Sequence, residues 1–156
     1  MKAFKVLAIV FMSFTILVTG LTLMRDFDIS GDIDKLAATT TSLQDQGLSA
    51  DLLNETLKEY NLPTPATMKA SIAMAFVVLL ITIIGTVMCI MNKDKAKLVG
   101  ILIIVLSIVS IFVHPAMDMG TYGGVSPRGA AIIQAVPAIL AGLFIALYKP
   151  KRITIA

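Results

Sequence analysis

The chain has 156 residues, 57% of them hydrophobic and 15% charged, with a mean hydropathy of +0.89 and a formal net charge of +3. Soluble domains carry about 25% charged residues, so the composition excludes an ordinary soluble domain, and the basic residues are better explained by membrane orientation and anionic lipid than by nucleic acid. The single cysteine, Cys89, excludes an intrachain disulfide, a paired-thiol centre and a multi-cysteine metal site within one chain.

Four runs contain no Asp, Glu, Lys or Arg: Val6 to Met24, Ala70 to Asn92, Leu98 to Met117 and Gly129 to Tyr148. About 20 apolar residues in a helix match a hydrocarbon core of about 30 Å. The runs predict a single all-α membrane domain over 1–156, a four transmembrane helix bundle with spans over 4–24, 69–92, 98–115 and 129–148. The basic residues sort by side. Lys2, Lys5, Lys93, Lys95, Lys97, Lys149, Lys151 and Arg152 share one face with a single acid, Asp94, while the other face holds five basic and nine acidic residues. Positive charge marks the cytoplasmic side. Both termini are therefore expected in the cytoplasm, with the loop over 25–68 extracytoplasmic. The localisation expected is a bacterial inner (plasma) membrane.

The first span, with Lys2 and Lys5 before it and Val18-Thr19-Gly20 inside it, shares features with a signal peptide. Its apolar run continues to Met24, beyond the usual h-region of about 7–15 residues, so retention as a span is expected. After it comes Asp26-Phe27-Asp28-Ile29-Ser30-Gly31-Asp32-Ile33-Asp34. Calcium loops of the EF-hand kind take oxygens at alternate positions, with glycine at the sixth. The run resembles such a DxDxDG loop, with Asp26, Asp28, Ser30, Asp32 and Asp34 as candidate calcium ligands. The twelfth position, where a bidentate Glu belongs, is Ala37. Asp51, Glu55 or Glu59 would have to complete the site. The competing reading is a solvated acidic loop.

The rest of the loop predicts a short helical hairpin. Ile33, Leu36, Thr40 and Leu43 make an apolar stripe in the first arm. Ser49 caps a second arm over about 50–60, which Asn61 and Pro63 stop. Asn54-Glu55-Thr56 is a glycosylation sequon, expected to be unused in a bacterial protein.

The third span is expected to end at His114-Pro115, because proline has no amide hydrogen for the ladder. His114, Met117 and Met119, with Met24 and Met68 at similar depth, are candidate ligands for a soft ion such as Cu(I). Methionine filling apolar gaps is the plainer reading. In the fourth span Ala131, Ala135, Ala138, Gly142 and Ala146 form a small-residue stripe suited to close helix packing, within the bundle or between copies. Gln134 and Pro137 mark a candidate pathway, since a polar side chain and a freed carbonyl near mid-membrane can line a site.

No catalytic template is present: there is no Gly-rich phosphate loop, nucleophile elbow or HExxH. No enzyme is expected, and no Asp, Glu, Lys or Arg falls within the four charge-free runs, which weighs against coupled transport. The layout is similar to that of claudin-type tetraspan proteins, but the Trp and the loop cysteine pair of those families are missing. The leading expectation is an accessory or assembly protein acting through its extracytoplasmic helical loop and helix contacts, its partners being lipid and other membrane proteins or further copies of itself. The alternative is a small channel or transporter for an ion or small solute, with calcium as its one candidate cofactor.

Overall fold

The computed structural model describes residues 2–47, 51–91, 95–117 and 124–147. Among the described residues there are five helices: α1 Lys2–Gln44, α2 Leu52–Glu59, α3 Pro65–Ile90, α4 Ala96–Val113 and α5 Pro127–Leu147. All but α2 are long and apolar enough to cross a membrane. They form a four-helix bundle of up-down-up-down course. α1 packs on α3 and α5, and α4 packs on the same two, so α1 and α4 stand diagonally opposite. The outward faces are apolar. Leu17, Leu21, Leu80, Leu98 and Phe112 are all exposed, Phe112 to 76%, a surface that only a bilayer would cover around the whole bundle.

One register runs through all four long helices. The buried positions on α1 include 8, 12, 15, 19, 22, 26, 29 and 33; on α3 they are 68, 71, 75, 78, 82, 85 and 89. α4 buries 96, 100, 103, 107, 110 and 114, and α5 buries 127, 131, 134, 138, 141 and 145. The spacing alternates between three and four, the seven-residue repeat of knobs-into-holes packing. Two contacts fix the register near the termini. A Cβ on Gly85 would lie 2.8 Å from Ile103 and 3.5 Å from the Met12 sulfur. A Cβ on Gly142 would lie 2.5 Å from the Gly100 carbonyl oxygen. Here α4 and α5 touch backbone to backbone, which only glycine allows.

The first arm of the expected hairpin is not a separate helix. α1 runs unbroken through residues 25–44 and, at about 1.5 Å per residue, is roughly 64 Å long. Gly31, the sixth position of the expected calcium loop, is accommodated in the helix, where one glycine costs only about 1 kcal/mol. Burial of Ile29 and Ile33, which continue the same stripe, outweighs it. α2 then folds back onto the top of α1. Ile29, Ile33, Leu57, Met68 and Met117 form an apolar cluster there, with Leu36, Leu53 and Leu62 packed against it. Asn61, at φ 49, closes α2, and the Leu62 amide donates to the Leu57 carbonyl oxygen at 2.7 Å. Ser49, the expected cap of this arm, lies outside the described residues. α3 opens with Pro65 in its first turn and with the Thr64 hydroxyl accepting from the Thr67 amide at 3.2 Å.

Candidate functional site

The buried layers change character along the bundle. At the end where α1 begins and α5 ends they are apolar: Ala8, Met12, Cys89, Ala96, Val99, Ile103, Ala138, Ala141 and Ile145 form one cluster. Toward the α2 end they turn polar. Thr15, Thr19, Thr22, Asp26, Ser71, Thr82, Ser107, Ser110, His114 and Gln134 are all buried. The threonines on α1 and α3 satisfy themselves. Thr15, Thr19, Thr22 and Thr82 each donate to the carbonyl four residues back, at 2.7–3.0 Å.

The remaining polar groups do not. In the outermost layer Asp26 of α1, Ser71 of α3 and His114 at the C-terminus of α4 converge. The Ser71 hydroxyl donates to Asp26 Oδ2 at 3.3 Å, and His114 Nε2 lies 3.5 Å from the same oxygen. Both Asp26 and His114 are 0% exposed. His114 Nδ1 sits 2.7 Å from the Ser110 carbonyl oxygen and 3.2 Å from the Ser110 hydroxyl. α5 closes the layer: Arg128 donates from Nε to the His114 carbonyl oxygen and from its amide to that of Pro115, each at 3.1 Å. All four long helices thus contribute.

Two layers further in, the register set by Gly100 against Gly142 brings Ser107 and Gln134 to one depth, about 10 Å from His114. Five buried atoms in these two layers make no hydrogen bond: Asp26 Oδ1, His114 Nε2, Ser107 Oγ, and Nε2 and Oε1 of Gln134. Each such orphan costs about 1–3 kcal/mol. Buried polar atoms are otherwise paired in nearly all cases, and among the described residues these five lie along one internal column.

The residues singled out in the sequence are dispersed differently. Because 26–34 is helical, the wrap-around calcium loop does not form. Asp26 points into the bundle and Ser30 is buried, while Asp28, Asp32 and Asp34 face solvent, Asp32 paired with Lys35 at 3.2 Å. Asp51, Glu55 and Glu59, which would have completed that loop, are exposed on α2 and the turn before it. The soft-metal set also separates. Met117 and Met68 pack in the apolar cluster under α2, and Met24 is 68% exposed on the bundle surface. Met119 lies outside the described residues. Ala131, Ala135, Ala138 and Gly142 are buried within the bundle and Ala146 is half-buried. Pro137 is buried next to Gln134 and leaves the Ile133 carbonyl without its helical donor.

Beyond the first charge-free run, α1 carries the ionisable Asp26 into the bundle core. The charge-free run ends at Met24, but the helix and the bundle core do not. The missed signal is the spacing Thr15, Thr19, Thr22, Asp26, which continues Ala8 and Met12 in sevens. A search for apolar stripes cannot see it because its middle is polar.

Comparisons with protein-family models, with curated proteins and with solved structures return no match.

Proposed function

We propose that this chain is a non-enzymatic membrane protein that binds, and carries inward, a small ion or polar solute taken up at its α2 end. The observation that supports this reading is the column of five buried polar atoms on Asp26, His114, Ser107 and Gln134 that make no hydrogen bond. An ionisable group buried on the interior of a bundle of membrane-spanning helices supports a pathway or ligand-site reading. A bundle acting only through its outer surface gains nothing from orphaned polar atoms in its core. The apolar layers at the termini end favour a gated carrier over an open pore.

The distribution of Lys and Arg supports cytoplasmic termini and an extracytoplasmic α2, in what we take to be a bacterial inner membrane. The test is charge movement on a supported membrane carrying reconstituted protein, challenged with a panel of small cations and with acid. Wild-type protein is expected to give a current that Asp26→Asn and Gln134→Leu reduce at least about tenfold. Currents equal in wild type and both variants overturn the reading.

A second reading has its own support. α2 and the turn before it expose Asp51, Asn54, Glu55, Lys58, Glu59 and Tyr60, a surface suited to another membrane protein's extracytoplasmic domain or to a second copy. On that reading the chain is an accessory subunit. A partner or self-oligomer captured by mild crosslinking from native membranes, and lost when α2 is replaced by a Gly/Ser linker, would favour it.

A further inference from the structure

On the outer surface of the bundle, a groove of about 560 Å³ runs between α1 and α3 toward the α2 end. Each helix lines it with one face, at positions i, i+3, i+4 and i+7: 27, 30, 31 and 34 on α1, and 69, 72, 73 and 76 on α3. Phe27 and Phe76 meet there with ring centroids 6.0 Å apart at an angle of 71°. Gly31, where a Cβ would meet nothing within 4 Å, leaves the floor open. Asp34 and Lys69 bring opposite charges into the same groove, and among the described residues no ion pair joins them.

The groove crosses the level at which charges begin. The Ser71 hydroxyl donates to Asp26 at 3.3 Å, so these residues share one level, and the charge-free runs end beside them at Met24 and Ala70. From that level, at about 1.5 Å per residue, the Phe76 backbone lies about 7 Å inward, that of Lys69 about 3 Å outward and that of Asp34 about 12 Å outward. Side chains lean toward the N-terminus of their own helix. The two helices are antiparallel, so Asp34 leans back inward and Lys69 leans out to meet it. Headgroups fill a zone of roughly 5–8 Å beyond each side of the hydrocarbon core, and the charged part of the groove opens onto that zone.

We propose that this groove binds a zwitterionic phospholipid, with its phosphate at Lys69, its ammonium at Asp34 and the upper part of its chains against Phe27, Ile72 and Phe76. The order of the lining carries the assignment. Passing outward, the groove is apolar, then cationic, then anionic, which complements acyl chain, phosphate and terminal ammonium in turn. An anionic lipid would satisfy Lys69 and set its remaining negative charge near Asp34. The zwitterion satisfies both, through charge-assisted hydrogen bonds that a primary ammonium can donate.

The test is native mass spectrometry of the full chain in detergent, titrated with phosphatidylethanolamine and phosphatidylglycerol of identical chains. Wild type is expected to retain phosphatidylethanolamine at least about fivefold better, the worth of one charge contact at the membrane surface. Lys69→Gln should weaken both lipids about fivefold, while Asp34→Asn should erase the preference between them. Gly31→Leu fills the groove and should displace the lipid, whereas Asp32→Asn, which lies outside the groove and alters the pair with Lys35, should leave binding unchanged. Helix content equal to wild type in each variant separates loss of the site from loss of the fold. Equal retention of the two lipids by wild type, or retention untouched by Lys69→Gln and Gly31→Leu, overturns the proposal. So does a wild-type dimer that holds no lipid and is dissolved by Gly31→Leu, which would seat a second copy in the groove.

Discussion

Asp26 on α1 and His114 at the end of α4 stand on diagonally opposite helices, yet Oδ2 of one lies 3.5 Å from Nε2 of the other across the centre of the bundle. The meeting point ties the topology to the chemistry. Where neighbouring helices make the ordinary lateral contacts of a bundle, this pair crosses its axis and leaves polar valences unfilled on both sides. Several consequences can be measured.

Gln134→Leu removes two buried orphan atoms at nearly constant volume. Stability in detergent is expected to stay level or to rise by up to about 2 kcal/mol, because an unmade hydrogen bond is a cost that an apolar side chain does not carry. Transport or binding should fall in the same variant. A clear loss of stability in thermal unfolding would mean that Gln134 serves the fold.

Glycine positions divide sharply. Gly142→Ala puts a Cβ 2.5 Å from both the Gly100 carbonyl oxygen and Ile104 Cγ1, so α4 and α5 must separate, at about 1–3 kcal/mol. Gly31→Ala has nothing within 4 Å of the new methyl group and should stabilise α1 by about 1 kcal/mol. Melting temperatures moving in opposite directions for the two variants are the expected result.

The acidic residues of 26–34 should prove unequal. Asp28→Asn, on an exposed face, is expected to change stability by less than about 0.5 kcal/mol. Asp26→Asn alters the buried pair and should change both stability and activity. Millimolar calcium should leave the melting temperature of the wild type unchanged, since helical geometry spreads the carboxylates around the axis. A calcium-dependent rise abolished by Asp28→Asn would refute this picture.

Leu57→Ala empties part of the apolar cluster formed with Ile29, Ile33, Met68 and Met117. A loss of about 2–5 kcal/mol is expected. It should be felt mainly where α2 docks, because α2 meets the rest of the chain mostly through this cluster. Limited proteolysis should cut faster between Gln44 and Thr64 while the four long helices stay protected.

Several features could be read from the residues alone, and each for a local reason. The four charge-free runs specify spanning helices because backbone polar groups in lipid must be satisfied within the segment. Asn61 with Pro63, and His114 with Pro115, stop their helices through backbone geometry that needs no tertiary partner. The small residues of α5 could be read as a close-packing face, and Gly142 lies against the Gly100 backbone of α4.

The course of α1 beyond Met24 was not legible in that way. Locally, Arg25 to Asp34 has the charge and the glycine of a loop, and the alternating carboxylates fit a calcium site better than a helix. Only the docking of Ile29 and Ile33 against Met68, Met117 and Leu57 makes the helical course favourable. That single extension turns Asp26 from a solvent-facing ligand into a core residue. Ser71 and His114 reach it from separations of 45 residues and more along the chain, and Arg128 joins through the His114 carbonyl oxygen, so no local pattern could have announced the group. The sequence by itself determined the number of spans, where most of the helices stop and which helix face packs, because hydropathy, proline and small side chains act within a turn or two. Only the tertiary structure decided where the chemistry lies: the pairing of Asp26 with His114 depends on four helices sharing one register, which is a property of their packing and of no single segment.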